Sequence, residues 1–285
     1  LHRFFAPLKF EDQHIIPKCI DIIKDFKPDV IHIFGSENCF GLLALHTKIP
    51  IVIHMQGSLP ACYNARFPIN VTFIDILLSS RYTFFRKLSE YRNLKIFKRR
   101  ALREAKILRH VNYFFGRTHW DKSITRVYNS SSVYFYCSEV LREPFYGKEK
   151  WHYPGQEQIV IVSTISMPLY KGFDVILKTA QILKKECHMN FCWKIIGIQQ
   201  EKFIESHYHI YAKDVSVVML GCLSAEDVKQ ELLHAHFYVH PSYIDNSPNS
   251  VCEAQMLGTP VICCNVGGVS SLVDNNVSGF LVPAN

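Results

Sequence analysis

Short apolar runs rich in Val, Ile and aromatic residues recur along this chain, and between them lie stretches in which apolar residues repeat every three or four positions. The runs at 29–34, 49–54, 111–115 and 133–137 form one series; those at 159–163, 191–196, 215–220, 237–240 and 260–264 form a second. Strands this continuously apolar are covered on both faces, as parallel strands are. Phe173 to Lys185 carries the helical repeat, and Ser224-Ala-Glu-Asp227 reads as a capped helix start running to His234. Such alternation over the whole length predicts an α/β protein with parallel sheets.

At 285 residues there is room for two domains, each with its own core. The joint falls in the polar, Pro- and Gly-containing stretch 146–158, where the strand pattern restarts, leaving an amino-terminal domain over 1–145 and a second over 159–285. The first residue is Leu, and the strand-like run Phe280 to Pro283 stops almost at the end. The expectation is therefore a piece of something longer that lacks both ends, with an incomplete first domain and a truncated second. No apolar run reaches the length of a membrane-spanning helix, and no signal peptide is visible. The 10 cysteines include no C-x-x-C pair and sit mostly in apolar runs such as Val261-Ile-Cys-Cys264. That pattern reads as small core residues in a reducing compartment, not as a disulfide or zinc framework.

Chemistry-bearing residues gather where second-half strands give way to helices. After the strand ending at His240 come Asp245 and, eight positions on, Glu253 inside a short helix. Pro248 suits the first turn of that helix and leaves the N–H groups of Asn249, Ser250 and Val251 for an anion. The strand ending near Ser163 leads to Lys171-Gly172 at another helix entrance, a fit for a diphosphate. The strand ending at Cys264 leads to Gly267-Gly268, where backbone can approach a ligand or a neighbouring loop. Each feature has a plainer reading: a surface lysine, a favourable charge on a first helical turn, a simple turn. Together they mark one sheet edge, where open parallel sheets bind ligands. Neither G-x-G-x-x-G nor G-x-x-x-x-G-K-[ST] occurs, which argues against a dinucleotide or P-loop ATPase site.

The run from Leu220 to Pro283 resembles the carboxyl-terminal half of family-4 retaining glycosyltransferases of the GT-B architecture, in a bacterial member. The matching pieces are Gly221-Cys-Leu-Ser-Ala-Glu-Asp227, His240-Pro-Ser242, Asp245 with Glu253, Leu257-Gly-Thr-Pro-Val261, Val266-Gly-Gly268 and Asp274 to Pro283. Tyr170-Lys-Gly-Phe-Asp174 resembles the family's Lys-Gly motif. The first-half likeness is looser, resting on Pro28 to His32 and Ile51 to His54. The resemblance implies two facing Rossmann-like domains, with a nucleotide diphosphate sugar held mainly by the second. It implies Asp245 and His54 at the reacting sugar, Glu253 at the ribose and Lys171 on the diphosphate, with Gly172, Asn249, Ser250, Val251, Gly267 and Gly268 completing the donor site. Two departures stand out: Asp245 is one methylene shorter than the usual Glu, and Ser166 replaces an arginine. Neutralisation of the diphosphate then rests on Lys171, helix N–H groups and an unassigned cation such as Arg117. No cofactor or metal is required on this reading.

The net charge of +7 is local. Residues 81–109 hold eleven Lys and Arg against Glu90 and Glu104, and the remainder is slightly acidic. Phe84, Leu88, Tyr91, Leu94, Phe97, Ala101, Ala105 and Leu108 form an apolar stripe at helical spacing. A basic amphipathic helix can lie on an anionic membrane, and it can equally be a solvated face over a stripe packed on the core. No nucleic-acid motif accompanies the charge. The function expected is sugar transfer with retention from a nucleotide diphosphate sugar to a hydroxyl acceptor. That acceptor could be a lipid-linked glycan in polysaccharide or glycolipid synthesis, met in the cytoplasm at the inner face of the membrane. A nucleotide-sugar 2-epimerase and a non-catalytic sugar-nucleotide binder remain as alternatives.

Overall fold

A computed structural model describes residues 12–284. The chain divides into two compact units, one running up to Asn64 and resuming over Tyr82–Glu139, the other comprising Ala65–Arg81 and everything from Val140 onward. The first 11 residues of the domain expected over 1–145 lie outside the described part.

In the first unit, helix α1 (Asp12–Phe26) precedes β1 (Ile31–Phe34) and β2 (Ile51–His54). Helix α2 (Leu59–Asn64) follows β2, and α4 (Phe84–His110) leads into β3 (Tyr113–Gly116), α5 (His119–Tyr128) and β4 (Val133–Tyr136). The four strands lie in the order β1-β2-β3-β4, all parallel. Ile33, Ile53, Met55 and Phe114 pack with Ile107 and Leu108 of α4. The apolar stripe of the basic segment thus splits: its end at Ala101, Ala105 and Leu108 is core, while Phe84, Leu88 and Tyr91 are exposed, as is the neighbouring Phe85.

The second unit carries β5 (Ile159–Thr164), α6 (Phe173–Lys185), β6 (Phe191–Ile196), α7 (Lys202–Tyr208) and β7 (Val217–Gly221), then α8 (Ala225–Leu233), β8 (Phe237–His240), α9 (Asn249–Leu257), β9 (Val261–Cys264) and β10 (Phe280–Val282). Its six parallel strands lie in the order β10-β9-β8-β5-β6-β7. Phe173, Ile176, Leu177 and Ala180 bury one face of α6 completely, and truncating Leu177 to Ala would cost about 2–5 kcal/mol. Val251, Ala254 and Leu257 of α9 pack with Val162, Tyr238, Val261 and Cys263. Burial pushes the Cys263 thiol up to about 12, in keeping with a core cysteine.

The segment Ala65–Arg81, with helix α3 (Phe73–Leu78), separates from the first series of strands and joins the second unit. Two hydrogen bonds tie it to α7: the Tyr208 hydroxyl donates to the Ile69 carbonyl at 2.7 Å, and Arg81 Nε donates to Ser206 Oγ at 2.8 Å. Among the described residues, no helix is long and apolar enough to cross a membrane.

Candidate functional site

Strand order in the second sheet fixes where a ligand can enter. From β5 the chain builds outward through β6 and β7, then returns to place β8 on the other side of β5 and continues to β9 and β10. Connections from β5 and β8 therefore leave on opposite sides, opening a crevice at their carboxyl ends. Ser163 ties the strands together at that point: it donates to the Val239 carbonyl at 2.6 Å and accepts from Trp193 Nε1 at 3.1 Å.

The two loops bordering the crevice bring Lys171 and Asp245 together. Lys171 Nζ donates to Asp245 Oδ2, and His240 Nε2 stands 3.0 Å from the same oxygen. Burial alone would raise the Asp245 carboxyl, but His240 and Lys171 outweigh it and hold the group well below the usual carboxylate range. Asp245 is thus an anion at neutral pH. Its other oxygen accepts from the Asn246 amide at 3.0 Å, which fixes the rotamer.

Both loops are braced by backbone that only glycine allows. Gly172 caps α6 with φ 77° and Gly267 stands at φ 52°. A Cβ at Gly172 would overlap the Pro241 carbonyl, and one at Gly267 the Asp245 carbonyl. Gly268 donates its amide to that same Asp245 carbonyl at 3.0 Å. Of the two roles open to Gly267 and Gly268, the structure shows approach to a neighbouring loop. Tyr243 adds a third brace: its amide donates to the Tyr170 carbonyl at 2.9 Å and its hydroxyl to buried Asp174 at 2.8 Å.

Glu253, one turn inside α9, is nearly buried and holds Arg142 in a bidentate pair, with Nε to Oε1 at 2.7 Å and a terminal nitrogen to Oε2 at 2.8 Å. The guanidinium also lies over the Phe145 ring, 5.1 Å from its centre. A pocket of about 340 Å³ is lined by Arg142, Ser166, Lys171, His240, Asn249 and Ser250, among others. Pro248 is the cap of α9 and precedes its first turn. The Val251 amide, expected to be open to an anion, instead donates to the Pro248 carbonyl at 3.1 Å, and its side chain is buried in the core. The Tyr238 hydroxyl beside Ser250 bonds Thr164 Oγ1 at 2.7 Å.

His54 belongs to the first unit, at the end of β2. It is buried beside Phe34, with ring centres 4.9 Å apart, and its Nε2 is 3.9 Å from Glu139 Oε1. Burial lowers its pKa against the opposing pull of Glu139, so the ring is neutral near pH 7. Glu139 also accepts from Gln56 Nε2 at 2.6 Å and lies 3.6 Å from Arg117. Arg117 is therefore engaged within the first unit.

Sequence reasoning missed Arg142, Tyr243 and the part His240 plays. Arg142 sits at the edge of the polar joint, where no periodicity marks it, and its partner is 111 residues away. Tyr243 follows the quoted His240-Pro-Ser242 directly, and its side chain carried no charge to draw notice.

Residues 148–285 match the family of glycosyl transferases group 1. An uncharacterized glycosyltransferase of Haemophilus influenzae is 31% identical over 132 residues, covering 45% of this chain and 36% of that protein. The amylovoran biosynthesis glycosyltransferase AmsK of Erwinia amylovora is 27% identical over 130 residues, covering 43% of this chain and 32% of its own length. The matched part spans about a third of these curated relatives. Among solved structures, Anabaena Alr3699/HepE in complex with UDP superposes with a TM-score of 0.62 at 15% identity, covering 94% of this chain and 68% of that one. At that identity the likeness concerns the fold: the α/β architecture with parallel sheets expected from the strand pattern, of the GT-B type implied by the sequence resemblance.

Proposed function

We propose that the second unit binds a nucleotide diphosphate sugar at the β5/β8 crevice, as the donor half of a retaining glycosyltransferase acting in cell-surface polysaccharide or glycolipid synthesis. The observation that carries this reading is the pairing of Lys171 with Asp245 on the loops after β5 and β8, with Arg142, the partner of Glu253, lining the same pocket as Lys171. The matched family and the polysaccharide-synthesis relatives support transfer, and the UDP-bound neighbour supports a nucleotide donor. In the reaction proposed, the bond from the sugar's anomeric carbon to the diphosphate oxygen breaks and a bond to the acceptor oxygen forms. The acceptor proton leaves with the diphosphate.

Lys171 and the first turn of α9 stabilise the developing charge on the leaving diphosphate, so the reading invokes no metal. Asp245 takes sugar hydroxyls and Glu253 the ribose. Retention rests on the sequence resemblance and is read from the anomeric configuration of the product.

The test is incubation of the protein with a panel of nucleotide sugars, with and without membrane lipids as acceptor source. Acceptor-dependent release of nucleotide diphosphate is the expected result. Isomerisation of the sugar without acceptor would favour the epimerase, and binding without turnover a non-catalytic role. Asp245→Ala should lower turnover at least a hundredfold by removing a group at the reacting sugar; unchanged kinetics would refute the assignment.

A further inference from the structure

The pocket holds two cations on its wall, Arg142 and Lys171, and each is already paired with a carboxylate. A diphosphate entering it brings at least two negative charges, more than Lys171, already shared with Asp245, can offset. Ser166, also on the wall, offers no charge. One of the two pairs has to open for the anion to be neutralised.

The two pairs differ in how tightly they are enclosed. Lys171 and Asp245 are both largely buried, at 17% and 13% exposure of the side chains, and Asp245 is further fixed by His240 and the Asn246 amide. The Arg142 side chain is 47% exposed while its partner Glu253 is 5% exposed. A guanidinium at a pocket mouth, resting on the Phe145 ring, can pivot without disturbing the core. Glu253 can give it up, because ribose hydroxyls are donors that satisfy a buried carboxylate in the guanidinium's place. The freed fork then matches a phosphate as it matched the carboxylate, through two parallel N–H···O bonds.

We propose that Arg142 is a diphosphate-binding residue held on Glu253 until the nucleotide arrives. The ribose takes Glu253 and the diphosphate takes Arg142 in one exchange of partners. This rests on the nucleotide-donor reading above and names a residue that reading did not contain.

The exchange makes a signature that a merely structural ion pair does not share. Arg142 opposes binding of a bare nucleoside, because it competes for Glu253, and favours binding of a nucleoside diphosphate. The experiment is calorimetric or ligand-observed NMR titration of UDP, GDP and ADP, then of the nucleoside matching the one that binds. In Arg142→Ala the diphosphate should weaken at least tenfold while the nucleoside binds as well as, or better than, in the unmodified protein. Arg142→Lys should fall between the two for the diphosphate. Equal weakening of both ligands would show a structural brace and overturn the proposal, as would unchanged diphosphate affinity. Glu253→Ala, read in the same titrations, keeps the parent reading separate: it should weaken the nucleoside whether or not Arg142 behaves as proposed. Failure of the unmodified protein to bind any of the three diphosphates would overturn both.

Discussion

Two buried carboxylates titrate in opposite directions, and the signs lead to different behaviour. Asp245 is depressed by His240 and Lys171, so its contribution to stability is present above the ordinary carboxylate range and is lost as pH falls through its folded value. Glu104, on α4, is raised from 4.5 to about 7 by burial, although the Leu59 amide and Ser36 oppose the shift. A carboxyl raised in this way keeps its proton in the folded state while the unfolded chain ionises. Stability therefore declines as pH rises from about 4.5 to about 7, by up to about 3 kcal/mol at 1.36 kcal/mol per pH unit. Glu104→Gln should accordingly gain stability relative to the unmodified protein at pH 8 and little at pH 5, measured by urea denaturation. An equal difference at both pH values would contradict the assignment. Nothing in the sequence marks Glu104 as different from the surface charges around it. Only the packing of α4 against the Leu59 amide, at 3.1 Å, puts this one carboxylate indoors.

At the level of elements, the strands were legible because each is a mostly apolar run, and the ten among the described residues stand within a few residues of where the pattern put them. The Lys-Gly and Gly-Gly turns were legible because Gly172 and Gly267 occupy backbone conformations that other residues adopt only under strain. Helix α4 was readable as amphipathic, but which half of its stripe is core was not, because periodicity fixes a face and not its partner. Its first two turns expose Phe84, Phe85 and Leu88 beside Arg86, and this is the part suited to an anionic lipid surface. Replacing Phe84 and Phe85 together by Ser should reduce partition onto phosphatidylserine-containing vesicles by roughly tenfold or more, on the apolar area lost, and added salt should weaken what remains. Unchanged co-sedimentation would leave α4 as a solvated face.

Across the whole molecule, the strand order of the second sheet could not be read from spacing, since any parallel sheet would give the same alternation. It is the return of β8 to the flank of β5 that turns three separate loops into one site. The crossing of Ala65–Arg81 to the second unit was likewise invisible, because it depends on the Tyr208 hydroxyl of α7 finding the Ile69 carbonyl and the Arg81 guanidinium finding Ser206 on α7. Tyr208→Phe removes the bond to Ile69 while keeping the ring on which Lys178 rests. It should cost about 1 kcal/mol in denaturant unfolding, and no change would show the docking to be unimportant. The central claim is that the β5/β8 crevice is where a nucleotide diphosphate sugar binds. Hydrogen–deuterium exchange with and without a bound donor tests it most directly. Protection gathered over 163–173 and 240–253 is the expected result. Protection lying elsewhere, or none with any donor, would contradict it.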